Sequence, residues 1–306
     1  MQDDVTKTRI VLVGPGRAGR AFARSWTGAG GSIVLVAREA KGARAFGADL
    51  PRTEVHVLDD RLELAGDVVV LSVPDDAIRP LAQRLAGRVA CRFAFHFSGA
   101  LGSVELASFA PAGAKLGSLH PLRAFSGTAT ETWASVFVAV EGEDPAARIG
   151  MKICRHVGGR PHRLAAADKP LYHAAATLAA GGSASLLSLA SRLWEQAGLS
   201  EQDGRSALAG LAAGAVAAVE RLPFDRALTG PVARRDVETV RLHREALRPW
   251  PDQVDLYALL AKETLRRTRG RGREEEIARI LAPDAESPGD APLPNAEHSD
   301  IRRRKG

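Results

Sequence analysis

The sequence predicts an α/β domain with a mostly parallel sheet, followed by an all-helical C-terminal domain and a disordered tail. Short apolar strands alternate with helical patterns through the first half of the 306 residues, as in successive β-α-β units. Several strand candidates are unbroken runs of Val, Ile and Leu, the pattern of strands covered on both faces. After about residue 165 only helical patterns follow. We expect the three parts to span residues 1–163, 164–268 and 269–306.

Seven strands are predicted in the first half of the chain. They are RIVLVG (9–14), SIVLVAR (32–38), EVHVL (54–58), DVVVLSVP (67–74), RFAFHFSG (92–99), AKLGSLHPL (114–122) and SVFVAVEG (135–142). A helix is predicted over 75–87, where Asp75 is a candidate cap. Further helices are predicted at about 201–221, 236–247 and 252–268. A longer Ala- and Leu-rich helix begins near Asp168, with Pro170 in its first turn.

Composition narrows the class of protein. Hydrophobic residues make up 45% and charged residues 25%, as in globular proteins. The N-terminus has no apolar signal core, and no apolar run approaches the roughly 20 residues that span a bilayer, so we expect a cytoplasmic protein. Cys91 and Cys154 define no disulfide framework, and the eight histidines show no metal-ligand spacing, so no metal site is predicted.

The net charge of +6 and the pI near 9.7 raise the question of nucleic-acid binding. Aromatic residues are only 5% of the chain and no aromatic-studded basic stripe exists, so nucleic acid is an unlikely partner. The arginine-rich segment 266–273 is the place where such binding would occur. A modest basic balance fits a small anionic cofactor or substrate equally well.

A glycine-rich turn joins the first strand to the first helix. Gly14, Gly16 and Gly19 match the G-x-G-x-x-G fingerprint of dinucleotide-binding proteins, in which glycines permit the tight turn, the approach of the pyrophosphate and close helix–strand packing. The helix N-terminus offers N–H groups to the phosphates. The predicted cofactor-binding loop comprises Gly14, Pro15, Gly16, Arg17, Ala18 and Gly19.

The end of the second strand predicts which nicotinamide cofactor binds. An NAD site usually places an acidic residue there for the ribose 2′-hydroxyl, whereas this chain has Arg38, with Lys41 close behind. A guanidinium suits the 2′-phosphate of NADP through charge-assisted hydrogen bonds. The alternative is a solvated surface arginine. We therefore expect NADP (NADPH) as the cofactor.

Six segments recur together in one known family. In chain order they are the glycine fingerprint, VVVLSVPDDAI, FHFSGAL, GSLHPLRAF, DKPLYHAAATLAA and ALTGPVARRDVETVRLHREAL. Over about residues 8–268 the chain resembles the family in which a Rossmann-like domain precedes a helical domain of unknown function, DUF2520. This family is related to NADP-dependent deazaflavin oxidoreductases, pyrroline-carboxylate reductases and ketopantoate reductases. The resemblance implies a Rossmann-type sheet and an NADP-linked reductase acting on a CH–OH or C=N group of a small acid such as ketopantoate.

Polar residues follow three of the predicted strands, where ligands of open α/β sheets bind. Ser72, Val73 and Pro74 end one strand, and the resemblance places them, with the other strand ends, beneath the nicotinamide. Ser98 and His120 end two more and are the first candidates for substrate contact or catalysis. His96 shares the face of Ser98 but lies deeper, and all these side chains are equally typical of helix caps and turns.

The helix after Asp168 carries the strongest catalytic candidate. Lys169, Tyr172 and His173 fall on one helical face with Ala176. Lys169 resembles the proton donor and substrate anchor of related hydroxyacid and ketopantoate reductases; the alternative is a solvent-facing lysine. Tyr172 and His173 are candidate substrate-binding residues or packing residues.

Two further features bear on the substrate. Relatives often carry an asparagine where this chain has Gly181 and Gly182, which favours a changed substrate site or a protein without turnover. Arg234 in LTGPVARRD matches the family motif and is a candidate for binding an acidic substrate, whereas Arg235 is as well explained as a solvated charge.

Three hypotheses follow. The first is an NADP-dependent reductase, the second a non-catalytic NADP-binding sensor or scaffold, and the third a nucleic-acid-binding protein. Because the helical domain is rich in apolar residues, and because relatives dimerise through it, we also expect a homodimer.

Overall fold

The computed structural model describes residues 5–282 and divides into two compact units, the first ending at Leu186 and the second beginning at Leu187. The first unit is an α/β domain with one large sheet, and the second is helical. The predicted fold class is therefore confirmed. The predicted limit at residue 163 stays a prediction.

Ten strands form within the described residues of the first unit. They are β1 (Arg9–Val13), β2 (Ser32–Ala37), β3 (Thr53–Val57), β4 (Leu64–Ala65), β5 (Val68–Leu71), β6 (Val89–Ala90), β7 (Phe93–His96), β8 (Lys115–Pro121), β9 (Phe137–Gly142) and β10 (Arg160–Arg163). Eight of them form one sheet in the order β10-β9-β8-β7-β5-β1-β2-β3, in which only the β8–β9 pair is antiparallel. The strand order reverses direction between β1 and β5, the crevice where such sheets bind ligands.

Twelve α-helices are described. They are α1 (Arg17–Gly28), α2 (Ala40–Ala48), α3 (Asp75–Leu85), α4 (Asp144–His156), α5 (Lys169–Thr177), α6 (Ser183–Gln196), α7 (Glu201–Arg221), α8 (Phe224–Ala227), α9 (Gly230–Arg234), α10 (Val237–Leu247), α11 (Pro251–Arg267) and α12 (Glu274–Ile280). A 3₁₀ segment, Ser103–Ala112, follows β7, and a shorter one, Ala166–Asp168, precedes α5. Asp75 does not cap α3 as predicted, because it is already the first residue of that helix.

The two faces of the large sheet carry separate cores. Alternate residues such as Ile10 and Leu12 pack with Phe22 and Trp26 of α1 on one face. Their neighbours, such as Val11, pack with α3 and the 3₁₀ segment on the other. Because both faces are covered, continuous apolar strands are required, as the sequence indicated.

The second unit has its own core. Val237 and Val240 of α10 pack with Leu265 of α11 and with Ile277 and Leu281 at the end of the described chain. Residues 269–282 thus belong to the folded unit, whereas the sequence predicted a disordered tail from 269. Their helix α12 begins with three glutamates, a pattern that indicates a solvent-exposed charged segment. In the structure, however, Ile277 of this helix is wholly buried. The rest of the predicted tail, 283–306, lies outside the described residues.

Helices α5 and α6 run on as one helical stretch, Ala166–Gln196, through a π-helical turn at Leu178–Gly182. Its mean hydropathy reaches 1.3 over an 18-residue window, and none of that window is buried. The expectation that no segment is long and apolar enough to cross a bilayer is therefore wrong for this one described helix. Length and composition alone are weak evidence for a membrane span, because core helices of other proteins pass the same test.

Candidate functional site

The glycine loop forms a tight cradle between β1 and α1. A Cβ atom on Gly14 would lie 2.4 Å from Val73 Cγ1, and one on Gly19 would lie 2.7 Å from Ser72 Oγ. Gly14 also has a φ of +79°, which disfavours any side chain. The predicted loop and Ser72–Val73 are thus brought together at the strand-order reversal. The packing fits the backbone approach that a dinucleotide pyrophosphate needs.

Two arginines flank this cradle. Arg38 directly follows β2 and its side chain is exposed, the position expected for a residue that reads the adenosine ribose. Arg17 opens α1, and its Nη1 donates to the carbonyl oxygen of Phe125 over 3.3 Å. The donor set therefore fits an anionic dinucleotide carrying a 2′-phosphate, with Arg38 the candidate contact for that group.

Ser98 lies at the carboxyl edge of the sheet, just beyond β7. Its Oγ donates to Asp75 Oδ2 over 2.8 Å and accepts from the Leu101 amide over 3.0 Å. The buried His96 accepts from the Ser98 amide at Nδ1 and donates from Nε2 to the Gly102 carbonyl. Burial lowers the pKa of His96, so its imidazole is neutral near pH 7. These contacts fix the turn that presents the Ser98 carbonyl.

Lys169 meets that carbonyl from the first turn of α5. Its side chain is 0% exposed, and Nζ donates to Ser98 O over 3.0 Å and to Ser118 Oγ over 2.9 Å. Burial lowers the pKa of the ammonium from 10.5 to about 8, although the Glu141 and Asp75 carboxylates act to raise it. The solvent-facing reading of this lysine is wrong.

Sequence reasoning missed the carboxylate behind this lysine. Glu141, on β9, is buried and accepts from Ser118 Oγ over 2.9 Å. It also accepts from the amide and hydroxyl of Ser103, over 2.9 and 2.8 Å. One signal was available, because a glutamate interrupts the apolar run FVAVEG of a strand that is otherwise buried.

His120, Tyr172 and His173 form a partly exposed group beside these buried residues. The His120 Nδ1 and the Tyr172 hydroxyl lie 2.9 Å apart, and the rings of His120 and His173 stand 5.6 Å apart. A Cβ on Gly99 would lie 2.3 Å from His173 Nδ1, a buried atom that has no hydrogen-bond partner among residues 5–282. Burial, with Lys169 and the other histidines nearby, lowers the pKa of His120 to about 4, and burial raises that of Tyr172 to about 12.

The remaining predicted contact lies in the second unit. Arg234 ends α9 and is exposed, whereas the adjacent Arg235 is buried and in a left-handed conformation. The Arg235 guanidinium donates to Val232 O, Thr268 O, Glu274 Oε1 and three further acceptors. The solvated-charge reading of Arg235 is therefore wrong. Within residues 5–282, no group of three or more His, Cys, Asp or Glu side chains is placed to hold a metal ion.

The mostly parallel sheet and the glycine cradle are typical of Rossmann-type proteins, and family models match two segments of the chain. Residues 9–90 match the family described as "NADP oxidoreductase coenzyme F420-dependent", and residues 136–264 match "Domain of unknown function (DUF2520)". The chain thus joins an NADP oxidoreductase segment of Rossmann type to a DUF2520 segment, as the resemblance implied. No curated protein matches the chain.

Solved structures share the fold. The Thermotoga maritima protein TM1727 is 25% identical, with a TM-score of 0.67 over 88% of this chain and 98% of its own. The Bacteroides fragilis protein BF3122 is 20% identical, with a TM-score of 0.69 over 86% of this chain and 100% of its own. A reductive aminase from Aspergillus terreus, in complex with NADPH and ethyl levulinate, is 15% identical, with a TM-score of 0.58 over 90% and 100%.

Proposed function

We propose that the protein is an NADPH-dependent reductase of a small oxo or imino acid, with ketopantoate as the first substrate to test. The observation that carries the proposal is the buried Lys169, held at the same sheet edge as the glycine cradle. A structural role alone does not require an ammonium there, since burying one without a full set of partners is unfavourable. The bound NADPH of the similar reductive aminase supports the cofactor.

The residues divide into three roles. The loop 14–19 and Ser72–Pro74 hold the cofactor, Arg38 binds its 2′-phosphate, and the nicotinamide supplies the hydride. The substrate is bound by the partly exposed group beside the buried Lys169, namely His120, Tyr172 and His173. Arg234, an exposed cation of the second unit, stays a sequence-based prediction for binding an acidic substrate.

Lys169 is the proton donor in this proposal. A pKa of about 8 leaves a mixture of ammonium and amine near neutral pH, which suits a group that gives a proton to a developing alkoxide or amine. His120, with a pKa of about 4, is neutral at pH 7 and orients substrate by hydrogen bonding rather than by donating a proton. Ser98 shapes the site through its carbonyl contact with Lys169.

The deciding experiment follows NADPH fluorescence on addition of protein, then NADPH absorbance on addition of ketopantoate and a panel of oxo and imino acids. Binding followed by oxidation that Lys169→Met abolishes supports the proposal. Binding without oxidation of NADPH by any member of the panel favours the alternative, a non-catalytic NADP-binding sensor or scaffold. Absence of NADPH binding overturns both.

We also propose that the protein is a cytoplasmic homodimer joined through its apolar helices. Leu171 on α5 is 77% exposed and Leu211 on α7 is 73% exposed, as are many of the alanines around them. Exposed apolar side chains of this kind on a helix mark an interaction site. Gel filtration with light scattering at micromolar concentration tests this, and a monomer there would refute it.

A further inference from the structure

We propose that Glu141 is the positioning residue of Lys169, and that it acts through the hydroxyl of Ser118 to orient the lysine and keep it in its ammonium form. This inference rests on the proposed function of Lys169. Neither Glu141 nor Ser118 belongs to the cofactor cradle or to the partly exposed group, so the reductase hypothesis leaves both without a role.

The geometry is a continuous buried chain. Nζ of Lys169 donates to Ser118 Oγ over 2.9 Å, and Ser118 Oγ donates in turn to Glu141 Oε2 over 2.9 Å. Lys169 and Ser118 have no exposed surface, and Glu141 is 4% exposed. Hydrogen bonds to charged groups in such an interior are stronger than those at a surface and fix both partners.

Glu141 is itself held in place from the other side. The amide and hydroxyl of Ser103, the first residue of the 3₁₀ segment, donate to its two carboxylate oxygens. The carboxylate therefore stays aimed at Ser118 whether or not Lys169 carries its proton. A fixed carboxylate favours the charged form of an amine that is coupled to it through one hydroxyl.

The other titratable groups around Lys169 are less able to do this. Asp75, on α3, bonds the Ser98 hydroxyl, while Lys169 bonds the Ser98 carbonyl, so no continuous chain links them. Asp75 is also exposed, and water and salt screen its charge. His96 on β7 and His120 on β8 would oppose the ammonium if they were protonated, but their lowered pKa values keep them neutral near pH 7.

The test reads the protonation of Lys169 directly. Protein is labelled with ¹³C- and ¹⁵N-lysine, the Lys169 side-chain signal is assigned by its loss in Lys169→Met, and its titration is followed by NMR. We expect a wild-type midpoint near 8, a lower midpoint in Glu141→Gln, and an intermediate one in Glu141→Asp. Glu143→Gln is the matched control, because Glu143 is exposed and pairs with Lys115. Its midpoint should equal that of wild type.

Turnover adds a second measurement. In Glu141→Gln the high-pH limit of kcat with NADPH should move down with the Lys169 midpoint, while KM for NADPH stays unchanged, and Glu141→Asp should restore part of the shift. A folded Glu141→Gln protein with a wild-type midpoint overturns the inference. If Glu141→Gln fails to fold, Ser118→Ala interrupts the same chain, and a wild-type midpoint there overturns the inference equally.

The two proposals fail in different ways. One result is a Lys169 titration midpoint that depends on Glu141, in a protein that oxidises NADPH with none of the tested substrates. That result overturns the reductase proposal and leaves the coupling of Glu141 to Lys169 in place. Turnover that depends on Lys169, with a midpoint that ignores both Glu141 and Ser118, overturns the positioning role alone.

Discussion

Within residues 5–282 each of the two units buries one lysine or arginine side chain, and the two are buried differently. Arg235 in the second unit is 4% exposed and donates six hydrogen bonds, using all three of its nitrogens. Lys169 in the first unit is 0% exposed and donates two within the described residues. An ammonium has three protons, so one remains for another acceptor.

We call Arg235 the structural cation and Lys169, which is proposed to transfer a proton, the chemical cation. Arg235 ties the turn after α9 to the loop before α12. Lys169 has a lowered pKa and incomplete hydrogen bonding, at a sheet edge where ligands bind. Burial alone does not distinguish the two; the number of hydrogen-bond partners does.

The largest expected effect comes from removing the chemical cation. Lys169→Met should lower kcat by about 10²- to 10⁴-fold if Lys169 transfers the proton. The free energy of unfolding should change little, because an apolar side chain of similar length replaces a buried charge. Steady-state NADPH oxidation and urea unfolding check the two parts, with the exposed Lys115→Met as control. Unchanged kcat would remove Lys169 from the chemistry.

The opposite result is expected for the structural cation. Arg235→Ala removes six hydrogen bonds and leaves buried carbonyls without donors, so the free energy of unfolding should fall by about 3 kcal/mol or more. Urea or thermal unfolding measures it. Arg234→Ala, one residue earlier and exposed, should stay within about 0.5 kcal/mol of wild type. Equal losses in the two variants would contradict the assignment.

The fold was largely predictable, because its signals are local. Short apolar runs located seven of the ten strands that the structure describes, and the glycine fingerprint located the first β-α turn. The short β4 and β6 and the edge strand β10 were missed, since two-residue strands and the polar RPHR carry no periodicity. Segment 269–282 was misread because its two buried apolar residues are outnumbered by charges.

The site was predictable only in part, because tertiary contacts complete it. The sequence singled out Lys169, Ser98 and His120, but Ser118, which contacts the lysine, and Glu141, which contacts Ser118, come from strands 51 and 28 residues away. No spacing rule links residues brought together by a β8–β9 antiparallel pair. Arg235 shows the same limit, since its acceptors at 268–274 lie far along the chain.

A third test weakens cofactor binding in the first unit by a substitution in the glycine loop, which leaves both buried cations unchanged. Gly14→Ala places a methyl group against Val73 and should weaken NADPH binding by tenfold or more, because the pyrophosphate turn must shift. Gly87→Ala is the matched control, with the same φ of +79° but nothing within 4 Å of the added carbon. Fluorescence titration compares them, and equal loss would assign the effect to backbone strain alone.

The smallest expected effect is a pH dependence of the free energy of unfolding that comes from Lys169. Lys169 has a pKa of about 8 when folded, below its ordinary value of 10.5, so between these values the unfolded chain holds the proton that the folded protein has lost. Stability rises with pH wherever the unfolded state binds more protons, so Lys169 contributes a rising free energy of unfolding from about pH 8 to 10.5. Urea unfolding across this range should show a steeper rise in wild type than in Lys169→Met.

Arg235→Lys offers the converse measurement, since it gives the structural position a group that can titrate while the Lys169 contribution stays in place. Parallel pH curves for wild type and Lys169→Met would mean that the lysine keeps its proton in the folded protein, and that the two buried cations are of one kind.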